Sequence, residues 1–329
     1  MNTNKTINWA LVGTGGISNQ FIEGLKAAGG NAIAAVSRNL ESAKDFAARH
    51  GIQKAYDNYE RMLEDSEIDV VYIGTPHPTH KELTIRTLNA KKAVLCEKPV
   101  AINAGELKEM VLAARRNNVF FMEAMWTRFT PPLEKVRNWL SQGVIGEIKM
   151  VQASFGYNVP FNPENRLFNP HLGGGALLDA GIYPLSIISM VYGGKNPEDI
   201  KSHLYIGESG VDEQNNIILS YGENRMAYAS SANRTAMAND AWIYGTKGKI
   251  HIPYFVWARS ARLHLDGKGD EFYAPDFKSN GFDYEAETVM NCLREGKIEN
   301  PVMSWDESLI LMETMDTIRS QWNFKYPGE

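Results

Sequence analysis

The sequence predicts an α/β protein in two parts: an N-terminal domain on a parallel sheet, and an α+β domain with a large, mainly antiparallel open sheet. Three observations predict it. The chain has 329 residues, more than one ordinary hydrophobic core accommodates. Up to about residue 124, short apolar runs alternate with helical periods, the pattern of βαβ units. From residue 125 on, strand-like runs follow one another across Gly, Asn and Asp turns, the pattern of hairpins. The expected domains are therefore 1–124 and 125–329.

In the first part, residues 7–12 form an apolar run that stops at Gly13, and 17–28 has helical spacing before Gly29-Gly30. Residues 32–36 read as a second buried strand and 40–50 as a helix closed by Gly51. Residues 70–73 and 93–96 give two more strands, with helices at 79–88 and 104–117 and a further strand at 120–122. In the second part, 131–142 is helical and 148–157 is a long strand. Strands follow at 201–206, 216–221, 226–232, 241–244, 249–252 and 261–265. Ser304-Trp305-Asp306-Glu307 has the form of a capping box, and Leu309, Met312, Met315, Ile318 and Trp322 recur behind it at helical spacing.

Composition narrows the function. Hydrophobic residues make up 43% and charged residues 22%, which suits a globular chain rather than a disordered one. Thirty-four basic against 39 acidic residues leave a formal charge of −5, without the basic footprint of a nucleic-acid binder or a membrane-surface protein. No segment reads as the ~20 apolar residues of a membrane span. Residues 7–12 are too short for a signal-peptide core. Cys96 and Cys292 stand far apart, which fits a reducing compartment and excludes a cysteine zinc site. The expected location is the cytoplasm.

Gly13-Thr14-Gly15-Gly16-Ile17-Ser18 follows the first strand and opens the first helix. Such a loop lets backbone approach a pyrophosphate at the positive end of a helix. Ser18 takes the place of the usual third Gly or Ala and is small enough to keep close packing. A site selective for NAD carries Asp or Glu after the second strand. This chain has Ser37 and Arg38, donors suited to a 2′-phosphate, so NADP is the expected cofactor, with NAD possible.

Two further segments, Cys96-Glu97-Lys98-Pro99 and Gly173-Gly-Gly-Ala-Leu-Leu-Asp179-Ala-Gly-Ile-Tyr183-Pro184, complete the pattern. With the glycine loop, they make the whole chain resemble the glucose–fructose oxidoreductase/inositol dehydrogenase (Gfo/Idh/MocA) family. Glu123-Ala-Met-Trp126-Thr-Arg128-Phe, and Tyr rather than His at 183, are most similar to its dihydrodiol/xylose dehydrogenase branch. The resemblance implies a Rossmann domain, an open sheet, and catalytic roles for Lys98, Asp179 and Tyr183. It also implies that Thr75, Pro76 and His77 run beside the cofactor with Glu97 and Lys98, and that Trp126, Tyr157, Trp257 and Phe282 wall an aromatic pocket, with Arg128 and Arg166 for polar substrate groups.

The chemistry supports those roles independently. Hydride transfer from a carbinol needs a group to take the hydroxyl proton. Lys98 ends a parallel strand, where such sheets bind ligands. Asp179 and Tyr183 are four apart and share a face if helical. No metal is expected, because no second acidic or histidine cluster accompanies His77 and His80. The expected function is hydride transfer between NADP and a sugar-like or cyclic vicinal diol, in a homodimer or dimer of dimers. The alternatives are an NAD-dependent glycosidase of the same fold and a catalytically silent sensor of dinucleotide and sugar.

Overall fold

The computed structural model describes residues 5–329 and contains two compact units. The first comprises the chain up to Ala101, then Gly105–Phe129 and Phe277–Trp305. The second comprises Ile102–Ala104, Thr130–Asp276 and Asp306–Glu329.

In the first unit the chain alternates strand and helix: β1 (Asn8–Val12), α1 (Gly16–Ala27), β2 (Asn31–Val36), α2 (Leu40–His50), β3 (Lys54–Tyr56) and α3 (Tyr59–Leu63). There follow β4 (Val70–Ile73), α4 (His80–Asn89), β5 (Ala93–Glu97), α5 (Ala104–Asn117) and β6 (Phe121–Ala124). The six strands pair parallel in the order β3-β2-β1-β4-β5-β6, so the winding reverses between β1 and β4. Strands β4 and β5 are buried along their whole length, which is why they read as unbroken apolar runs. The Asn39 side chain accepts from the Ser42 amide to start α2, and Gly51 closes that helix in the left-handed conformation. β3 and α3 are too short to leave a period in the sequence.

The second unit opens with α6 (Pro131–Ser141) and β7 (Ile148–Gly156). After the buried helix α7 (Ile182–Val191) come β8 (Asp199–Ile206), β9 (Asp212–Ser220), β10 (Met226–Ala232), β11 (Ala241–Gly245), β12 (Gly248–Ile252), β13 (Ala261–Leu265) and β14 (Gly269–Tyr273). They form one eight-stranded sheet in the order β14-β13-β12-β11-β7-β10-β9-β8. The pairs are antiparallel except that β7 and β10 run parallel, Met150 beside Met226, and the two junctions β7 makes, with β10 and with β11, are not hairpins. One face packs on α7; Met150, Ile218, Met226 and Tyr228 point outward and are exposed.

Two sequence expectations need correction. The stretch Pro170–Val191 is apolar and long enough to cross a membrane, but 94% of its most apolar window is buried inside the protein, as a core segment of this unit. And α8 (Phe282–Arg294), within the span assigned to the second domain, belongs to the first unit, where it packs on α1. Gly24 permits that contact: a Cβ there would lie 2.7 Å from Phe282 Cβ and from the Asp283 amide nitrogen. The last helix, α9 (Trp305–Ser320), begins directly behind Ser304, where the capping-box sequence placed a helix start.

Candidate functional site

In the first unit, the candidate residues lie on loops at the C-terminal ends of β1, β2, β4 and β5, around the reversal point of the sheet. Gly13 has φ +95°, its amide donates to the Val36 carbonyl (2.9 Å), and a Cβ there would sit 2.6 Å from the Gly74 carbonyl oxygen. Only glycine fits that backbone. Gly15 and Gly16 differ: both are exposed, and a Cβ on either would meet open space. Gly15 caps α1 without a side-chain acceptor, and the first turn carries no acidic residue. Thr14 and Ile17 are partly exposed on the same turn. The positive end of α1 thus opens on an uncrowded backbone cradle, which fits a pyrophosphate anion. Ser18 is buried against Gly74, where a Cβ would lie 2.7 Å from the Ser18 hydroxyl, so the small third residue keeps β4 close.

At the end of β2, the Ser37 amide donates to the Tyr56 carbonyl (3.1 Å), and the Arg38 side chain is exposed. Beyond β4, Thr75 and Thr79 share a hydroxyl contact of 2.7 Å, Pro76 is exposed and His77 is buried, edge-on to His80. His80 does more than start a helix. Its two ring nitrogens lie 2.9 Å from the Pro99 carbonyl and 2.8 Å from the Thr75 carbonyl, so the ring sits between the loop after β4 and the loop after β5. Burial lowers its pKa even though two carbonyls face the ring.

Lys98 is partly buried next to Glu97, whose carboxylate accepts from the Tyr72 hydroxyl (2.7 Å) and from the Lys98 amide (3.2 Å). Glu285 of α8 is fully buried, and among the described residues neither of its oxygens has a hydrogen-bond partner. Burial, and then the charge of Glu97, push its carboxyl well above the usual carboxylate range. Neither Tyr72 nor Glu285 stood out in the sequence, because each looks like an ordinary position in an apolar or amphipathic run. Also in this unit, Trp126 and Phe282 stack at 4.8 Å and are buried, as is Arg128.

In the second unit, Asp179 lies in a π-type turn, Leu177–Gly181, that runs directly into α7, which carries Tyr183. Asp179 is buried, and Arg166 donates to one carboxylate oxygen (2.8 Å) and the Tyr157 hydroxyl to the other. Burial, and then the charge of Asp179, raise the Tyr157 pKa, so its proton stays on. The pocket candidates Tyr157 and Arg166 are thus brought onto the catalytic candidate. Phe155, which the sequence reading missed, joins the rest: its ring lies edge-on to Tyr183 (5.4 Å), Trp257 (5.4 Å) and Tyr157 (5.6 Å). The available signal was the two-residue period of β7, which puts Val151, Ala153 and Phe155 on its inner face. Trp257 remains half exposed at the edge of this aromatic cluster. Among the described residues, no group of three or more His, Cys, Asp and Glu side chains is placed to hold a metal ion.

Comparison with known proteins agrees with this architecture. The profile described as "Oxidoreductase family, NAD-binding Rossmann fold" matches residues 7–125, and that of the GFO/IDH/MocA C-terminal domain matches residues 133–251. The trans-1,2-dihydrobenzene-1,2-diol dehydrogenase of Xenopus laevis is 41% identical over 332 residues, covering 97% of this chain and 99% of its own. The human protein of the same name is 38% identical over 334 residues, covering 98% and 99%. Among solved structures, an aldose-aldose oxidoreductase from Caulobacter crescentus in complex with glycerol superposes with a TM-score of 0.87 at 23% identity, covering 96% of this chain and 97% of its own. A 3-ketoreductase from Actinomadura kijaniata, solved with NADP, gives 0.84 at 23% identity, covering 96% and 98%. The glycine cradle at the sheet reversal, the Glu97-Lys98-Pro99 strand end and the full-length match together place the chain in the Gfo/Idh/MocA family of oxidoreductases.

Proposed function

We propose that the protein is an NADP-preferring dehydrogenase that oxidises cyclic vicinal diols, with trans-1,2-dihydrobenzene-1,2-diol as its reference substrate and sugar-like diols as neighbours. One observation carries this reading. The chain combines Lys98, Asp179 and Tyr183 with 41% identity, over nearly its full length, to a trans-1,2-dihydrobenzene-1,2-diol dehydrogenase.

In this reading, NADP at the glycine cradle supplies the hydride acceptor. Ser37 and the exposed Arg38 bind its 2′-phosphate, and the Thr75-Pro76-His77 loop lies along it with Glu97. The Lys98 ammonium donates to the reacting hydroxyl and favours its deprotonated form. Tyr183, acting in its phenolate form, would take the hydroxyl proton and become the phenol, while the carbon's hydride goes to NADP. The Asp179 carboxylate, oriented by Arg166 and Tyr157, accepts from the second hydroxyl of a vicinal diol. Phe155, Tyr157 and Trp257, packed edge-on, offer aromatic surface suited to a six-membered ring.

The test is NADP reduction, read at the absorbance band of the reduced nicotinamide, across trans-diols, aldoses and polyols. Turnover with the dihydrodiol in excess of that with open-chain polyols is expected. No NADP reduction by any diol or sugar in the panel would overturn the reading. The exposed Met150, Ile218, Met226 and Tyr228 on the open sheet suggest a homodimer, or a dimer of dimers, formed through that face. A monomeric mass by light scattering at micromolar concentration would refute it. The buried free thiols Cys96 and Cys292 fit a reducing compartment, and we place the enzyme in the cytoplasm.

A further inference from the structure

Three residues ahead of Asp179, the chain passes through a seat built by side chains of three other elements in the second unit. The Tyr326 hydroxyl, from the tail after α9, donates to the Gly174 carbonyl (2.7 Å). The Ser231 hydroxyl of β10 is shared between the Ala176 carbonyl (3.3 Å) and the Asn215 side-chain oxygen (3.0 Å). Asp212 of β9 makes the central contact. Its Oδ2 accepts from the Leu177 amide (2.7 Å) and from Asn215 Nδ2 (3.1 Å). Its Oδ1 lies over Gly175, where a Cβ would come within 2.4 Å of it at φ +119°. Thus a run of backbone groups leading into the Asp179 turn is fixed by side chains, and one position on it must be glycine.

Asp212 is fully buried, which is costly for a carboxylate. Burial pushes its pKa up to about 6, against the opposing influence of Asn215, the Leu177 amide and the Arg319 guanidinium; Tyr326 also faces it. A chain seeking stability alone would place a neutral side chain there. The segment's next residues are Leu178 and Asp179, and Asp179 closes back on the Gly175 carbonyl (3.3 Å). Whatever sets Gly175 and Leu177 therefore sets the direction of the Asp179 side chain and the entry into α7.

We propose that Asp212 is a positioning residue for the Asp179–Tyr183 pair: its carboxylate fixes the backbone from which both side chains are presented, and Gly175 is the notch that admits it. The proposal rests on the reading of Asp179 and Tyr183 as active-site residues.

The full chain is tested with NADP and trans-1,2-dihydrobenzene-1,2-diol, alongside NADPH binding by fluorescence and amide hydrogen exchange over residues 174–181. Asp212→Ala should lower kcat by about 10–100-fold, the scale expected for misplaced reacting groups. NADPH affinity should stay within about twofold, since the glycine cradle is built by the first unit. The Leu177 amide should lose protection. Asp212→Asn keeps an oxygen to accept from Leu177 and should recover most of the turnover and the protection. Wild-type kcat in folded Asp212→Ala overturns the proposal, as does a loss of NADPH affinity equal to the loss of kcat. So does Asp212→Asn as impaired as Asp212→Ala with Leu177 still protected. Should Asp212→Ala fail to fold, Tyr326→Phe decides. It removes only the hydroxyl on Gly174; a several-fold fall in kcat with weaker protection at 174–177 supports the seat, and unchanged kcat and protection refute it. Wild-type turnover in Tyr183→Phe would instead sink the active-site reading, while the exchange arm, which needs no turnover, still reports whether Asp212 holds Leu177.

Discussion

The glycine loop of the first unit and the Gly173–Asp179 segment of the second solve opposite problems with the same residue. Around Gly15 and Gly16 the backbone is left uncovered: the helix start has no side-chain cap, no acid in its first turn, and open space where Cβ atoms would be. Around Gly174 and Gly175 side chains cover the backbone, with Tyr326, Ser231 and Asp212 each reaching a main-chain group. One region leaves its backbone uncovered; in the other, side chains occupy the main-chain groups. Glycine in the first gives approach, and in the second gives room for a carboxylate.

The largest expected effect separates side-chain chemistry from backbone binding. Lys98→Met and Tyr183→Phe should each lower turnover by about 10²–10⁴-fold, the range for lost acid–base work. NADPH affinity should hardly change in Tyr183→Phe, because the ring still packs edge-on to Phe155. Steady-state kinetics with the dihydrodiol check this, and near-wild-type turnover in both variants would refute the assignment.

Within the cradle the two kinds of glycine should respond differently. Gly13→Ala places a Cβ against the Gly74 carbonyl in a left-handed conformation, and should weaken NADPH binding at least tenfold or lower Tm by several degrees. Gly15→Ala, with φ −79° and open space around it, should leave the fold intact. Equal melting temperatures for Gly13→Ala and wild type would show that the loop yields more readily than its geometry implies.

Much of this contrast was legible in the sequence, and the remainder was hidden for identifiable reasons. The helix over 104–117 and the strand over 226–232 were read to the residue, because each has a clean period and a polar boundary. The glycine loop was read because its strand-loop-helix context is local. The partners of Asp179 were not: Arg166 and Tyr157 lie 13 and 22 positions away, and nothing in a linear pattern says that a carboxylate will gather them. His80 looked like a helix start and is one, but its two carbonyl partners come from separate loops. The assignment of α8 to the first unit depends on Gly24 facing Phe282 and Asp283, a contact spanning more than half the chain. Local periodicity fixes elements; long-range polar contacts fix the site.

A smaller effect concerns cofactor choice. Arg38→Ala should reduce the preference for NADPH over NADH by about tenfold, roughly the value of one charge-assisted contact at an exposed position. Titration of both reduced cofactors checks it. A wild-type protein that binds them equally would mean that Ser37 and Arg38 do not read the 2′-phosphate.

The smallest expected effect returns to buried carboxylates. Asp179 is paired by Arg166, whereas Glu285 faces the charge of Glu97 without a hydrogen-bond partner of its own among the described residues. Its carboxyl is held well above the ordinary carboxylate range, first by burial and then by Glu97. A raised pKa in the folded state means that folding favours the protonated form. That contribution is complete below the unfolded-state pKa near 4.3 and is lost as pH rises through the folded value. Glu285→Gln has the shape of the protonated acid and nothing to ionise, so its stability should lack this slope. Wild type should therefore fall behind Glu285→Gln as pH rises from about 5 to 9, by roughly 2–4 °C in Tm for each kcal/mol of lost stabilisation. Parallel melting curves for the two proteins across that range would show that Glu285 does not change its ionisation on folding. The mirror experiment, Asp179→Asn, should show the reverse preference at neutral pH, because removing that charge leaves the Arg166 guanidinium facing an amide instead of its carboxylate.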